Sequence, residues 1–167
     1  MMIFNSLQER ATKIGTFFAY KEVREVNKVK RKLILASHGN FASGILSSLE
    51  LICGKNDSIT TIDAYMTADY NLSAEIKTAI DENKENELII ATDIFGGSVN
   101  NEFLNYIHSP NFYLIAGMNL PLLIELTTQL ESAESVPELI KQALTNSKIT
   151  IQFCNETIQN EIEEEEF

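Results

Sequence analysis

The sequence predicts an α/β fold: an open, mostly parallel sheet with helices on both faces. Three observations predict it. Short apolar runs, Leu33 to Ala36 and Leu88 to Ala91, have the length of buried strands and are too short for helices. Stretches with apolar residues three and four apart lie between such runs, and strands that alternate with helices imply parallel pairing. The strand exits carry Gly, Asn, Ser and Asp, which turn the chain and start helices.

The elements follow in order. Strand one is expected at about 32–37. A helix follows at about 41–53, with Ala42, Ile45, Leu46, Leu49 and Ile52 on one face and Gly54 as its stop. The β-rich run Ser58 to Asp63 reads as strand two. Asp69 to about Asn83 reads as a second helix, with Leu72, Ile76 and Ile80 four apart. Glu87 to Thr92 is strand three. The loop Asp93-Ile-Phe-Gly-Gly-Ser98 leads into helix three, which carries Phe103, Leu104 and Ile107 and is broken by Pro110. Asn111 to Ala116 is strand four. Gly117-Met-Asn-Leu-Pro121 opens helix four, with the proline near its first turn, where a missing N–H costs little. Ser135-Val-Pro137 opens a further helix to about Leu144. Lys148 to Phe153 alternates as a fifth strand, and Glu161 to Phe167 is a charge run that reads as a solvated tail.

A chain of 167 residues with 44% apolar residues fits one domain with tails. The domain is expected at 31–154, between an N-terminal extension at 1–30 and an acidic tail at 155–167. In the extension, Phe4, Leu7, Ala11, Ile14 and Phe18 recur at helical spacing among basic residues. That pattern fits an interfacial amphipathic helix, a helix packed on its own domain, or a start of translation further downstream. No secretory signal pattern is present. Cys53 and Cys154 lie far apart without CxxC spacing, which points to a reducing, cytoplasmic compartment and away from a metal cage. No run of 18 apolar residues suggests a transmembrane helix.

Charge is unevenly spread. Residues 1–32 hold eight Lys or Arg against three Glu, a balance of +5, so the overall −11 leaves −16 on the rest. Phosphate contacts need Lys and Arg, so an acidic body argues against nucleic acid. It suits a basic protein partner.

Three junctions carry the chemistry: Ser37-His38-Gly39-Asn40-Phe41-Ala42, Thr92-Asp93-Ile94-Phe95-Gly96-Gly97-Ser98, and Gly117-Met118-Asn119-Leu120-Pro121. In a parallel sheet such loops share one edge, where ligands bind. Histidine gives and takes charge near neutrality, and His38 sits at a strand end. Asp93 can hold one ring nitrogen of His38, which fixes the tautomer and leaves the other nitrogen as nucleophile. Gly96 and Gly97 let backbone N–H groups approach an anion, and Ser98 stands at the start of helix three. Nucleophilic imidazole, orienting carboxylate and anion cradle together point to a histidine that becomes phosphorylated at Nε2. Phe41 and Asn119 are expected at the site periphery. Each residue alone also has a plain structural reading, as a turn residue or helix cap. His108, at a helix end before Pro110, reads as structural. The chain has no GxxxxGK[ST], no GxGxxG, no HExxH and no Cys/His cluster, so neither nucleotide nor metal nor other cofactor is expected.

With these motifs in order, residues 31–154 resemble the mannose-family IIA component of the bacterial sugar phosphotransferase system. The resemblance implies a sheet of four parallel strands plus an antiparallel fifth, with Lys148–Phe153 exchanged between subunits of a homodimer. It places the phosphorylated histidine on His38, the aspartate that hydrogen-bonds it on Asp93 and the phosphate-stabilising serine on Ser98. It implies a phosphoryl group taken from the phosphocarrier HPr and passed to a IIB component, then to sugar entering through membrane IIC/IID partners. Val99-Asn100-Asn101 departs from the Pro-Phe that follows the serine in many members. No IIB domain or long Ala/Pro linker follows, as expected of a free-standing IIA. A non-catalytic regulatory or interaction module of the same fold, and a dihydroxyacetone-type phosphoryl donor, are the competing readings.

Overall fold

A computed structural model describes the backbone of residues 29–165 and the side chains of residues 29–159. The chain divides into residues 1–30 and residues 31–167, and the fold is that of the second unit. The expected N-terminal amphipathic helix lies outside the described residues.

Four strands form the sheet: β1 (Arg31–His38), β2 (Ile59–Ala64), β3 (Glu87–Thr92) and β4 (Phe112–Ala116), in the order β2-β1-β3-β4. All three pairings are parallel. The helices are α1 (Phe41–Cys53), α2 (Leu72–Asn83), α3 (Ser98–Phe103), α4 (Leu120–Gln129), α5 (Val136–Lys148) and α6 (Cys154–Glu165); a single 3₁₀ turn, Leu104–Tyr106, extends α3.

Successive strand residues point to opposite faces, so the apolar runs 33–36 of β1 and 88–91 of β3 feed two cores at once. Leu33, Leu35, Ile89, Ala91 and Ile115 face one way. They meet Ala42 and Leu49 of α1, Leu122, Leu123 and Leu126 of α4, and Leu139 and Ala143 of α5. Ile34, Ala36, Ile62, Leu88, Ile90 and Phe112 face the other way, against Leu72 and Ile76 of α2 and Val99 and Phe103 of α3. The predicted three-layer arrangement is therefore present.

The helix starts carry the polar chemistry that the turns need. Asn71 caps α2 by accepting from the Ala74 N–H at 3.1 Å. Asn119 caps α4 by accepting from the Leu122 N–H at 3.0 Å, with Pro121 in the first turn. Helix α2 starts at Leu72 rather than Asp69, because Asn71 supplies this cap and residues 65–71 turn first.

Two expectations are corrected. No fifth strand forms among the described residues. Helix α5 continues past Leu144 to Lys148, since Leu139, Ala143 and Ser147 keep one buried face through that stretch. The remaining 149–153 segment finds no strand to pair with in this chain, and Ile149, Ile151 and Phe153 stand exposed. The C-terminal acidic stretch is helical over Cys154–Glu165. It contains neither Gly nor Pro, and glutamate is a fair helix former.

Arg31 ties the start of the sheet to the helical layer. It is buried, its Nε donates to Glu87 Oε2 at 2.8 Å, and an Nη1 hydrogen reaches each of the Leu130 and Ala133 carbonyls, at 2.8 and 2.6 Å. Arg31→Met keeps the stem and strands three acceptors. It should cost about 1–3 kcal/mol, read as a lower urea midpoint at unchanged slope. An unchanged midpoint would show that this clamp does not hold the sheet to α4.

Candidate functional site

The parallel register brings the carboxyl ends of all four strands to one edge. His38 pairs with Ala64, Ala36 with Thr92, and Thr92 with Ala116. Residues 37–42, 92–98 and 117–121 accordingly converge, as the sequence predicts.

β1 gives way to α1 through Gly39, whose φ of +56° suits a residue without a Cβ. Ser37 is fully buried, and its Oγ accepts from the Ala42 N–H at 2.7 Å. Asp63, at the end of β2, accepts from the Ser43 N–H at 3.0 Å. These two oxygens do the capping, so Asn40 makes no side-chain cap. The His38 ring is thereby presented at the edge, with its side chain 41% exposed.

Asp93 fixes that ring. Its Oδ2 accepts from the His38 backbone N–H at 2.9 Å and lies 2.7 Å from Nδ1. Its Oδ1 accepts from the Ile94 N–H at 2.9 Å. An ionised carboxylate can only accept, so Nδ1 carries the proton and Nε2 of the neutral ring carries the lone pair. Nε2 lies 3.0 Å from Ser98 Oγ, the first residue of α3. Burial pushes the Asp93 carboxyl up, but hydrogen bonds from the His38 N–H, the His38 ring and the Ile94 N–H outweigh it and hold the group below its ordinary value.

The two glycines behave differently. A Cβ on Gly97 would lie 2.7 Å from Ile94 Cγ2 and 3.1 Å from His38 Cε1, so a side chain there would press on the His38 ring. The Gly96 N–H is taken by Asn100 Oδ1 at 3.2 Å. Phe41 stands half-exposed at the start of α1, and Ile94 and Phe95 of the 92–98 junction are exposed as well. Asn119 serves as the α4 cap. His108 is exposed in the turn before β4, at the opposite edge of the sheet from His38.

Two contributors escape the sequence reading. Asn100, 1% exposed, donates from Nδ2 to Thr92 Oγ1 at 3.1 Å, and Thr92 Oγ1 donates in turn to the Ile115 carbonyl at 3.2 Å. This chain of bonds staples the 93–97 loop to β3 and β4. Tyr65, just past the end of β2, donates its hydroxyl to Ser98 Oγ at 2.8 Å. Its position beyond a strand end was the only available signal.

No group of His, Cys, Asp and Glu among the described residues could hold a metal ion. No described helix is long and apolar enough to cross a membrane. A cavity of about 780 Å³ opens between α2 and the β1–β2 pair, lined by Lys32, Thr60, Asn71, Glu75 and Glu82 among others, and includes neither His38, Asp93 nor Ser98.

A carboxyl whose folded pKa is depressed contributes stability above its unfolded pKa of about 3.9 and loses it as pH falls through the folded value. Asp93→Asn should therefore be less stable than the parent near neutrality, with the gap closing as pH falls below about 4. A gap that stays constant down to pH 2.5 would contradict the assigned hydrogen bonds.

Comparison with known proteins identifies the family. The family model for the PTS system fructose IIA component, EIIA-man, matches residues 32–144. The PTS system fructose-specific EIIA component of Bacillus subtilis (strain 168) is 25% identical over 130 residues, 76% of this chain and 88% of that protein. A crystal structure from Klebsiella pneumoniae subsp. pneumoniae MGH 78578, assigned as a phosphoenolpyruvate-dependent sugar phosphotransferase system permease, is 44% identical. It superposes with a TM-score of 0.75 over 79% of this chain and 96% of that one. The mannose/sorbose specific IIA subunit from Enterococcus faecalis is 25% identical, with a TM-score of 0.62 over 74% of this chain and 94% of that one. The match across most of the sheet and all three junctions makes the chain a member of the mannose-type IIA family of the sugar phosphotransferase system.

Proposed function

We propose that residues 31–154 form a phosphoryl carrier that accepts phosphate from phospho-HPr on His38 Nε2 and passes it to a IIB component. The observation that carries this reading is the meeting of three side chains from three elements. Asp93 lies 2.7 Å from Nδ1, and Ser98 lies 3.0 Å from Nε2.

The step is a displacement at phosphorus. The Nε2 lone pair forms the new N–P bond while the donor's N–P bond breaks, and its electron pair returns to the donor imidazole. His38 then bears a proton on Nδ1 and a phosphoryl group on Nε2, so its ring is cationic. In this reading the Asp93 carboxylate stabilises that charge, and the Ser98 hydroxyl with the N–H groups of Gly97 and Ser98 would receive the phosphoryl oxygens. Transfer onward reverses the same movements. Such chemistry needs positioning and charge stabilisation more than acid–base work.

The surroundings support protein partners. Phe41, Ile94, Phe95 and Met66 are exposed large apolar side chains on the junctions at this edge. Exposed apolar groups of this kind suit a protein surface. The acidic body would speed encounter with a donor of basic rim. The working place is the cytoplasm, with the membrane IIC/IID components reached only through IIB.

A homodimer belongs to the same reading. β4 has one neighbour, β3, and an unpaired edge invites a strand. The alternating Ile149, Ile151 and Phe153, all exposed, have the pattern of a strand with one face to bury. Pairing of 149–153 with β4 of a second copy supplies the antiparallel fifth strand. Light scattering should give twice the chain mass at micromolar concentration; a monomer at all concentrations would contradict the exchange.

The test of the carrier role is intact mass after incubation with phosphoenolpyruvate, enzyme I and HPr. The wild-type chain should gain one acid-labile phosphoryl group, and His38→Ala none. Asp93→Asn should slow the gain by roughly 10–100-fold, since an orienting partner of that kind is lost. Ser98→Ala should shorten the life of the phosphorylated form. No gain while HPr itself is phosphorylated would point instead to a non-catalytic module of this fold.

A further inference from the structure

We propose that Tyr65 is a positioning residue for phosphoryl transfer, acting through Ser98 by setting the direction in which the serine hydroxyl points. The proposal rests on the carrier reading above and deepens it.

The first observation is backbone strain. Tyr65 has φ of +65°, a region that a bulky residue rarely enters. It follows Ala64, the last residue of β2, whose carbonyl accepts from the Gly39 N–H at 2.8 Å and so is locked to the exit of β1. The left-handed turn immediately after that lock carries the side chain over the site.

The second observation is what the side chain meets there. Its ring lies against the His38 ring, with centroids 5.7 Å apart and planes 29° from parallel. Tyr70 packs edge-on against Tyr65, centroids again 5.7 Å apart. The Tyr65 hydroxyl reaches Ser98 Oγ at 2.8 Å, and that oxygen lies 3.0 Å from Nε2.

Hydrogen counting then fixes every direction. In the neutral ring, the form with a lone pair to give, the Nδ1 proton goes to Asp93 and Nε2 can only accept. Ser98 has a single hydroxyl hydrogen, which must go to Nε2. The Ser98 oxygen is left to accept, and Tyr65 must be its donor. The resulting chain runs Tyr65 O–H to Ser98 O–H to His38 Nε2. A hydroxyl that accepts a hydrogen bond is a stronger donor, because such chains polarise one another.

When the N–P bond forms, Nε2 no longer accepts. The Ser98 hydrogen turns to a phosphoryl oxygen, and the Tyr65 hydroxyl continues to donate to Ser98. Tyr65 keeps its proton throughout and makes no bond to phosphorus. Its contribution is a serine whose one hydrogen is aimed at the reacting side and whose donor strength is raised while charge builds on the phosphoryl oxygens.

The test is Tyr65→Phe, which keeps the ring stack and removes only the hydroxyl. In single-turnover phosphorylation by phospho-HPr the variant should be slower by roughly tenfold, the size expected for loss of an outer positioning partner. The concentration of phospho-HPr giving half-maximal rate should not change. Introduced into Ser98→Ala, the same substitution should have no further effect, since the route through the serine is already cut. A wild-type rate in Tyr65→Phe, or additive losses in the double variant, would overturn the proposal. A readout independent of transfer is the ¹⁵N NMR shift of Nε2 in the unphosphorylated protein. It should move toward a free imidazole nitrogen in Tyr65→Phe and stay put when the substitution is made in Ser98→Ala. If wild type takes up no phosphate, the carrier reading fails, while an unmoved Nε2 signal refutes the role of Tyr65 on its own.

Discussion

One carboxylate holds the site together. Asp93 Oδ2 binds both the backbone N–H and the ring Nδ1 of His38, at 2.9 and 2.7 Å, so the end of β1 and its side chain are fixed by one atom from the end of β3. The hydrogen-bond directions around the His38 ring depend on that tie. It sets the tautomer, the tautomer makes Nε2 an acceptor, and an accepting Nε2 dictates how Ser98 and Tyr65 must donate. An exposed imidazole without the tie would turn freely and present either nitrogen.

The sheet exists to make that tie possible. β1 and β3 are adjacent and parallel, so the two junctions that carry His38 and Asp93 leave the same edge side by side. Their strands are buried on both faces, which gives the site a rigid floor. The loop after β3 is held from within by Asn100, Thr92 and the Ile115 carbonyl. A buried network with its bonds made fixes one loop shape, and an incomplete one costs stability. The same Asn100 occupies the Gly96 N–H, which is therefore already paired within the loop.

Much of this was legible in the residues. The apolar runs at 33–36 and 88–91 identify central strands because only a strand buried on both faces reads that way. His38, Asp93 and Ser98 stand out because each ends or follows such a strand, and the structure brings the three together. Tyr65 was not legible: its role depends on a left-handed backbone angle and on a turn with no motif. Asn100 looked like a departure from a family pattern, and its partners, Thr92 Oγ1 at the end of β3 and the Gly96 N–H, are brought to it only by the shape of the loop between them. The stretch 148–153 reads as a strand because its apolar residues alternate. Alternation states which side wants burial, not which edge the stretch will pair with, and among the described residues it pairs with none. The helix over Cys154–Glu165 was hidden by its charge, since a run of glutamates reads equally as tail or helix.

The account stands on the assignment of Nδ1 to Asp93 and of Nε2 to the incoming phosphorus. The most direct measurement is a nitrogen–phosphorus correlation by NMR on the ¹⁵N-histidine protein after phosphorylation by phospho-HPr. A coupling between phosphorus and Nε2 of His38, with Nδ1 still protonated, is the predicted result. Coupling to Nδ1, or a phosphoryl group on any residue other than His38, would contradict it.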